Sequence, residues 1–260
     1  MTTIIITRDN IDSFKEIDPD VIRITWEAGE LIKDILDLFP NVTQLDCSWN
    51  DNQVTSLEPL SNLNSLICLN LSNNQIISLE PLSNLTLLKH LDLRKNQIRS
   101  LEPLSKLTSL EYLNIDRNQV TSLEPLSNLT SLTYLNFWNN QIKSLEPLSN
   151  LTSLVYLDFY NNQVTSLEPL SNLTSLVYLN FSGNKVTSLE PLSNLTSLIE
   201  LLFPDNCIIS LEPIINLCNL EDILYYNNPL QPPSIQVQQL LDKLEKGSDN
   251  DGGNDSCVLS

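Results

Sequence analysis

The sequence is poor in the residues on which most catalytic and nucleotide-binding sites depend. It has one histidine, His90, and five glycines, and the glycines form neither a dinucleotide-binding fingerprint nor a P-loop. A catalytic triad or a histidine-based metal site would have to be built around that single imidazole. We therefore expect no enzymatic activity, no bound metal and no cofactor.

Basic residues are scarce as well. Lys and Arg total 14 against 32 Asp and Glu, which gives a formal net charge of −18. Such an excess of negative charge opposes binding to a phosphate backbone or to an anionic membrane surface, so we expect no nucleic-acid partner.

Cysteine and long apolar runs are also limited. The five cysteines are odd in number and show no CxxC spacing, which favours a reducing compartment. Near the N-terminus only three consecutive isoleucines occur, too few for a signal-peptide core or a membrane span. We expect a cytoplasmic protein, or one in the host cytosol if the gene is viral or bacterial.

What the sequence does contain is a repeat. The tripeptide Leu-Glu-Pro recurs every 22 residues, beginning at Leu57, Leu79, Leu101, Leu123, Leu145, Leu167, Leu189 and Leu211. Within one unit the run from Leu132 to Phe137 alternates between inward and outward positions as a strand does, and Leu126, Leu129 and Leu132 have the spacing of a tight helical return. No unit can bury its leucines alone, so we expect the units to stack into a continuous core.

The pattern LxxLxLxxNxI resembles the leucine-rich repeat, and its 22-residue length is similar to the repeats of bacterial internalins and of a nuclear regulatory subunit of phosphatase 1. The resemblance covers about residues 42–230. It implies an α/β solenoid, a right-handed superhelix with a parallel β-sheet on the concave face and short helical turns on the convex face. It also implies binding rather than turnover.

A column of asparagines follows the same period. An inward amide can both donate to and accept from backbone groups left open by each turn, so we interpret the column as a structural asparagine ladder. Its members are Asn74, Asn96, Asn118, Asn140, Asn162, Asn184, Asn206 and Asn228.

Four segments are expected along the chain. Residues 1–41 form an N-terminal cap of strands plus a helix over residues 27–38, and residues 42–230 form the repeats. Residues 231–246 form a C-terminal cap helix, and residues 247–260 form a flexible acidic tail. Two residues are inserted in the first repeat between Ser48 and Val54, which leaves its register open.

The concave positions of the repeats carry a patch of aromatic and basic side chains. Aromatic residues left on an open sheet present large apolar areas to water, and such areas dominate binding energy in protein interfaces. We predict that a protein or peptide binds this patch, which comprises Tyr112, Tyr134, Tyr156, Tyr178, Trp138, Tyr160, Arg94, Lys95 and Arg117.

The last four residues, Cys257 to Ser260, resemble the CaaX box of farnesylated small GTPases. The resemblance implies a farnesyl group on Cys257. Because no polybasic segment precedes it and the tail is acidic, we expect the resulting membrane association to be transient.

We interpret the chain as a non-enzymatic scaffold for protein–protein interaction, tethered to a membrane by its lipid. Two alternatives remain open. One is a secreted, internalin-like adhesion or receptor-binding protein, which glycosylated Asn-x-Ser/Thr sites would favour. The other is a regulatory subunit of a protein phosphatase, which co-purification with a catalytic subunit would favour.

Overall fold

The computed structural model describes residues 3–7, 23–27, 30–31, 33–48 and 54–248. In these ranges eleven strands form one sheet whose order follows the sequence, and neighbouring strands run parallel. The strands are β1 Thr3–Thr7, β2 Arg23–Glu27, β3 Gln44–Asp46, β4 Cys68–Asn70, β5 His90–Asp92, β6 Tyr112–Asn114, β7 Tyr134–Asn136, β8 Tyr156–Asp158, β9 Tyr178–Asn180, β10 Glu200–Leu202 and β11 Asp222–Leu224. The predicted solenoid of parallel strands and short helical turns is confirmed.

From β3 onward, each strand is joined to the next through a single 3₁₀ turn that starts at the repeated glutamate. Proline fixes the backbone at the start of the turn, where its missing N–H costs nothing, and the serine two residues before the glutamate accepts the glutamate N–H, as Ser100 Oγ does from Glu102 at 3.2 Å. The described turns are Glu58–Leu60, Glu80–Leu82, Glu102–Leu104, Glu124–Leu126, Glu146–Leu148, Glu168–Leu170, Glu190–Leu192 and Glu212–Asn216.

The leucines of successive units form one continuous core. Leu126, Leu129, Leu132 and Leu135 are all fully buried, and their equivalents in the other units are buried as well, except Ile223 of the last unit, which is partly buried. At the last apolar position of the strand segment, phenylalanines stack through the core with ring centroids 5.4–5.9 Å apart; these are Phe137, Phe159, Phe181 and Phe203. This arrangement joins the units side by side, since each ring contacts its counterpart one coil away.

The asparagine ladder lies along one edge of this core. Asn140 Oδ1 accepts the N–H of Val120 at 2.9 Å, and its Nδ2 donates to the carbonyl oxygens of Ile115 and Phe137, both at 3.0 Å. The same acceptor and donor bonds recur from Asn96 to Asn228 with an unchanged sequence separation. Each amide thus links two coils by satisfying backbone groups that no strand or turn partner reaches.

The first repeat shows where its two extra residues lie. Leu45 pairs with Leu69, and Cys47 donates its N–H to Asn70, so Cys47 occupies the place of Leu71. Val54 donates its N–H to Asn74, as Ile76 does to Asn96. The insertion therefore falls between Cys47 and Val54, and residues 49–53 within it lie outside the described residues.

The ends of the chain differ from prediction in two details. The helix expected over residues 27–38 is in the described residues a single turn, α1 Lys33–Leu36, and β1 and β2 extend the repeat sheet itself. The C-terminal helix, α2 Ile235–Ser248, begins after Ser234, whose hydroxyl accepts the N–H of Val237 at 3.3 Å. It continues two residues past the predicted end, because one glycine near a helix end weakens the helix without breaking it. Val237 and Leu241 bury their side chains against the last coil.

Candidate binding surface on the concave face

The first residue of each repeat strand points away from the core, onto the concave face. Parallel pairing in register places these residues side by side, as Tyr112 is opposite Tyr134 and Tyr134 opposite Tyr156. Four consecutive strands carry tyrosine there, and we call them the tyrosine column: Tyr112, Tyr134, Tyr156 and Tyr178.

The rings of the tyrosine column stack face to face. Each neighbouring pair has ring centroids 4.2 Å apart, with interplanar angles of 13°, 9° and 4° along the column. His90 extends the stack, its ring lying 3.8 Å from that of Tyr112. The rings are closer together than the roughly 4.8 Å between strands, as expected on the inner side of a curved sheet.

Stacking changes what the tyrosine column offers to a partner. The sequence suggested open aromatic faces toward water, but each ring covers the face of its neighbour, and all four tyrosines are only half-exposed. The ring edges and hydroxyl groups remain accessible. The resulting surface is a rigid strip with an apolar body and a polar tip, suited to contacts that both exclude water and donate hydrogen bonds.

A second aromatic group lies beyond the strand ends. The rings of Trp138 and Tyr160 are 5.5 Å apart and tilted by 51°, and Tyr160 is exposed. The guanidinium carbon of Arg117 lies 4.4 Å from the Trp138 ring centroid, a cation–π arrangement. This contact holds the Arg117 side chain over the aromatic group.

The third residue of each strand also lies on the concave face, because alternation along a strand places it on the same side as the first. Asp92, Asn114, Asn136 and Asp158 are nevertheless buried. Each turns its Oδ1 back to accept the N–H two residues later, as Asp158 does from Tyr160 at 3.0 Å. This local turn and the adjacent bulky side chains cover the polar groups.

Burial alters the ionisation of this polar row. It raises the pKa of Asp158 to about 6 from an ordinary value of 3.8, and hydrogen bonds from the Tyr160 N–H and Asn180 only partly oppose it. Because the folded state holds this proton more tightly than the unfolded chain, Asp158 favours folding below about pH 4, and that contribution is lost as the pH rises through 6.

The neighbouring titratable groups shift for the same physical reason. Desolvation raises the pKa of Asp92 despite its contact with Arg94, and it raises the pKa of Tyr112 to about 12. Desolvation also lowers the pKa of His90, which favours its neutral form. Desolvation raises the pKa of Tyr156 and Tyr178 as well, so these two tyrosines and Tyr112 stay uncharged over the physiological range.

The basic residues of the predicted site lie beyond the ends of β5 and β6. Arg94 Nε lies 3.3 Å from Asp92 Oδ2, and Lys95 and Arg117 follow at the next position of their units. Asp116 directly precedes Arg117 and is buried. Among the buried side-chain oxygen and nitrogen atoms in the described part of the chain, only Asp116 Oδ1 has no hydrogen-bond partner. Burial raises the pKa of Asp116, while Arg117 and Arg94 oppose the rise.

In the described part of the chain, no helix is long and apolar enough to cross a membrane. No three His, Cys, Asp or Glu side chains in those ranges are grouped to hold a metal ion. The predicted lipidation residue, Cys257, lies outside the described residues.

Comparison with known proteins identifies the repeats. A family model described as Leucine Rich repeats (2 copies) matches residues 40–85, 86–128, 130–172 and 152–194. The chain belongs to the leucine-rich repeat family. No curated protein sequence gives a significant match.

Solved leucine-rich repeat structures resemble the chain over most of its length. An internalin from Listeria monocytogenes is 28% identical with a TM-score of 0.68, and the match covers 86% of this chain and 72% of that one. Internalin C2 from the same organism is 35% identical with a TM-score of 0.64, covering 75% and 84%. A plant membrane receptor kinase ectodomain from Arabidopsis thaliana, in complex with Casparian strip integrity factor 2, shares the fold at 22% identity and a TM-score of 0.59, covering 80% and 29%.

One feature of the leucine-rich repeats was missed by sequence reasoning. The residue before each ladder asparagine has a positive φ, from 50° at Arg117 to 64° at Gly183. Its signal is a third 22-residue column rich in Asn, Gly and Asp, the residue types that tolerate this conformation. Lys95 and Arg117 depart from that preference.

Proposed function

We propose that this leucine-rich repeat chain is a protein-binding scaffold that holds a protein or peptide on its concave face. The observation that carries the proposal is the stacked tyrosine column together with Trp138 and Tyr160. Tyrosine and tryptophan supply large contact areas at low cost in side-chain entropy. Rings already fixed by stacking lose still less freedom when a partner binds.

Partner capture with matched variants tests this function. The double variant Tyr134→Ala/Tyr156→Ala removes the middle of the stack, whereas Glu124→Gln/Glu168→Gln changes two exposed glutamates in the 3₁₀ turns on the opposite side of the coil. We expect the tyrosine variant to lose a partner that the wild type and the glutamate variant retain from the same extract. Retention by the tyrosine variant and loss by the glutamate variant would place binding elsewhere.

The likeness to two internalins supports a second candidate, in which the same face binds a receptor outside the cell. We propose that expression through a secretory route distinguishes the two candidates, because Asn84, Asn128, Asn150, Asn172 and Asn194 all begin Asn-x-Thr sites. Recovery of glycosylated, receptor-binding protein would favour the extracellular function. Partner binding confined to cytosolic extract would favour the scaffold inside the cell.

We also propose that a lipid on Cys257 tethers the protein to a membrane. A farnesyl group joined to this thiol would give weak attachment, because one prenyl chain binds a membrane only marginally without basic support. Intact-mass measurement of protein from eukaryotic cells, beside Cys257→Ser, checks the modification. An unmodified wild-type mass in cells with active farnesyltransferase would remove the tether and leave the binding scaffold.

A further inference from the structure

The exposed charges of the concave face separate into two groups along the solenoid. One group, the cationic cluster, lies beyond β5 and β6 and consists of Arg94, Lys95 and Arg117. The other, the anionic cluster, lies on and beyond β10 and β11 and consists of Glu200, Asp205 and Asp222. No Lys or Arg occurs between Lys185 and Lys243. Lys243 of α2 lines the same pocket as Glu200 and Asp222, so its one positive charge offsets only part of the charge of the anionic cluster.

Three other carboxylates of this face are covered, while a fourth, Asp46 on β3, is half-buried. Asp92, Asp116 and Asp158 have exposed fractions of 5%, 6% and 8%, so an incoming partner meets the cations before it meets these groups. Burial raises the pKa of all three, and Asp92 is paired with Arg94. The negative charge of these buried groups reduces the attraction between the cationic cluster and an acidic partner. The surface that the partner meets at the cluster is still positive.

The cationic cluster also bears signs of a constrained position. Lys95 and Arg117 have φ values of 52° and 50°, where equivalent units carry Asn, Gly or Asp. A long L-residue in this conformation is strained, because its Cβ crowds the backbone. Strain of this kind tends to occur where a side chain serves a purpose other than stability, and at Arg117 it places the guanidinium over the Trp138 ring.

We propose that the concave face binds an extended segment of a protein partner that carries Asp or Glu at one end and Lys or Arg at the other. The acidic end meets the cationic cluster and the basic end meets the anionic cluster, with the tyrosine column between them. This inference rests on the proposed function, to which it adds the chemistry and the direction of the bound segment.

The separation of the clusters sets the length of the segment. From the middle of β5 and β6 to the middle of β10 and β11 is five strand steps, or about 24 Å at roughly 4.8 Å per step. An extended chain advances about 3.3 Å per residue, so about seven residues separate the two charged ends. Between them, neutral residues would contact ring edges and hydroxyl groups.

Labelled synthetic peptides test the inference on the full chain. One peptide carries three Glu, about seven residues of Ser, Thr and Tyr, and then three Lys. A second has the same composition with the charges alternating, and a third has the charged ends separated by only two residues. We expect the first to bind about tenfold more tightly in fluorescence anisotropy, with the preference falling as salt is added. Equal affinity of the three peptides would contradict the proposal.

Charge reversal then tests direction. The affinity for the first peptide should fall about tenfold in each of two double variants, Lys95→Glu/Arg117→Glu and Glu200→Lys/Asp222→Lys. The variant with all four substitutions should bind the peptide again, in the opposite direction. A photo-crosslinker at the acidic end should label the coils of β5 and β6 in the wild type, and those of β10 and β11 in the fourfold variant. The same crosslinks in both proteins would contradict the inference. Lys143→Glu, an exposed reversal outside both clusters, should change nothing.

The two proposals fail in different ways. If the Tyr134→Ala/Tyr156→Ala variant loses its natural partner while both charge-reversed pairs keep it, the bipolar segment is wrong and the concave-face function stands. If the tyrosine variant keeps that partner, the concave-face function itself is wrong. Circular dichroism of each variant establishes that the repeats are folded before binding is compared.

Discussion

Replacing Asn140 by alanine isolates the contribution of one rung of the asparagine ladder. The carbonyl oxygens that its Nδ2 reaches keep other donors: Ile115 accepts from Asn118, and Phe137 from Asn162, while Trp138 accepts the backbone N–H of Arg117. The N–H of Val120 is different, because Asn140 Oδ1 is the acceptor that the structure gives it.

The expected loss follows from that single orphaned donor. Val120 is fully buried, so water cannot replace the lost acceptor without entering the core. A buried donor left unsatisfied costs about 1–3 kcal/mol, and we expect Asn140→Ala to lower the free energy of unfolding by that amount. If each of the three hydrogen bonds from Nδ2 to a carbonyl oxygen contributed as much as the bond to the Val120 N–H, the loss of unfolding free energy would be several times larger.

Urea unfolding followed by circular dichroism measures the effect. The matched control is Asn228→Ala at the last rung, where the same bonds form and Ile208 is as buried as Val120. The removed Asn228 side chain is half-exposed, however, so water can enter the space it leaves and bind the freed N–H of Ile208. We expect the control to lose less than Asn140→Ala. A change within about 0.5 kcal/mol of wild type for Asn140→Ala, the range of ordinary surface substitutions, would refute the orphaned-donor argument.

The other expectations concern the core, a turn and the polar row. Leu135→Ala should lower the free energy of unfolding by about 2–5 kcal/mol through a cavity, against almost nothing for the exposed Glu146→Gln; similar urea midpoints would overturn the inward assignment. Gly183→Ala should cost about 1–2 kcal/mol because its φ is +64°, and unchanged stability would mean that the turn relaxes. Asp158→Asn should raise the unfolding midpoint at pH 8, where the buried carboxyl is charged, but not at pH 4, where it is protonated. The same change at the exposed Asp205 should show no such difference between the two pH values. If Asp158→Asn raised the midpoint at both pH values, burial of the charge would not be the cause.

Most of the fold could be predicted from the 22-residue repeat of the sequence. A 22-residue period in leucine and asparagine admits few arrangements, because a strand needs alternation and a buried amide needs backbone partners in the neighbouring coil. The core leucines could therefore be assigned from any one unit and transferred to the rest. In the first repeat, two extra residues make two strand registers compatible with the sequence. Only the pairing of Leu45 with Leu69 in the structure shows which register forms.

The candidate surface shows where sequence reasoning stopped. The columns could be listed by spacing, but not the ring geometry, since whether Tyr134 opens its face to water or covers it against Tyr156 depends on side-chain torsions and sheet curvature. Burial of Asp158 was missed for a related reason, because alternation predicts direction and not the neighbours that cover a side chain.

The sequence by itself determined the repeat length, the inward leucines and the positions at which aromatic and charged residues recur, because local spacing repeated eight times leaves little freedom in how the coils stack. Only the tertiary structure decided which of those recurring side chains touch. Residues 22 positions apart become neighbours when strands pair, and that contact stacks four tyrosines, covers the row of Asn and Asp beside them, and leaves the accessible cations and anions at separate ends of one face.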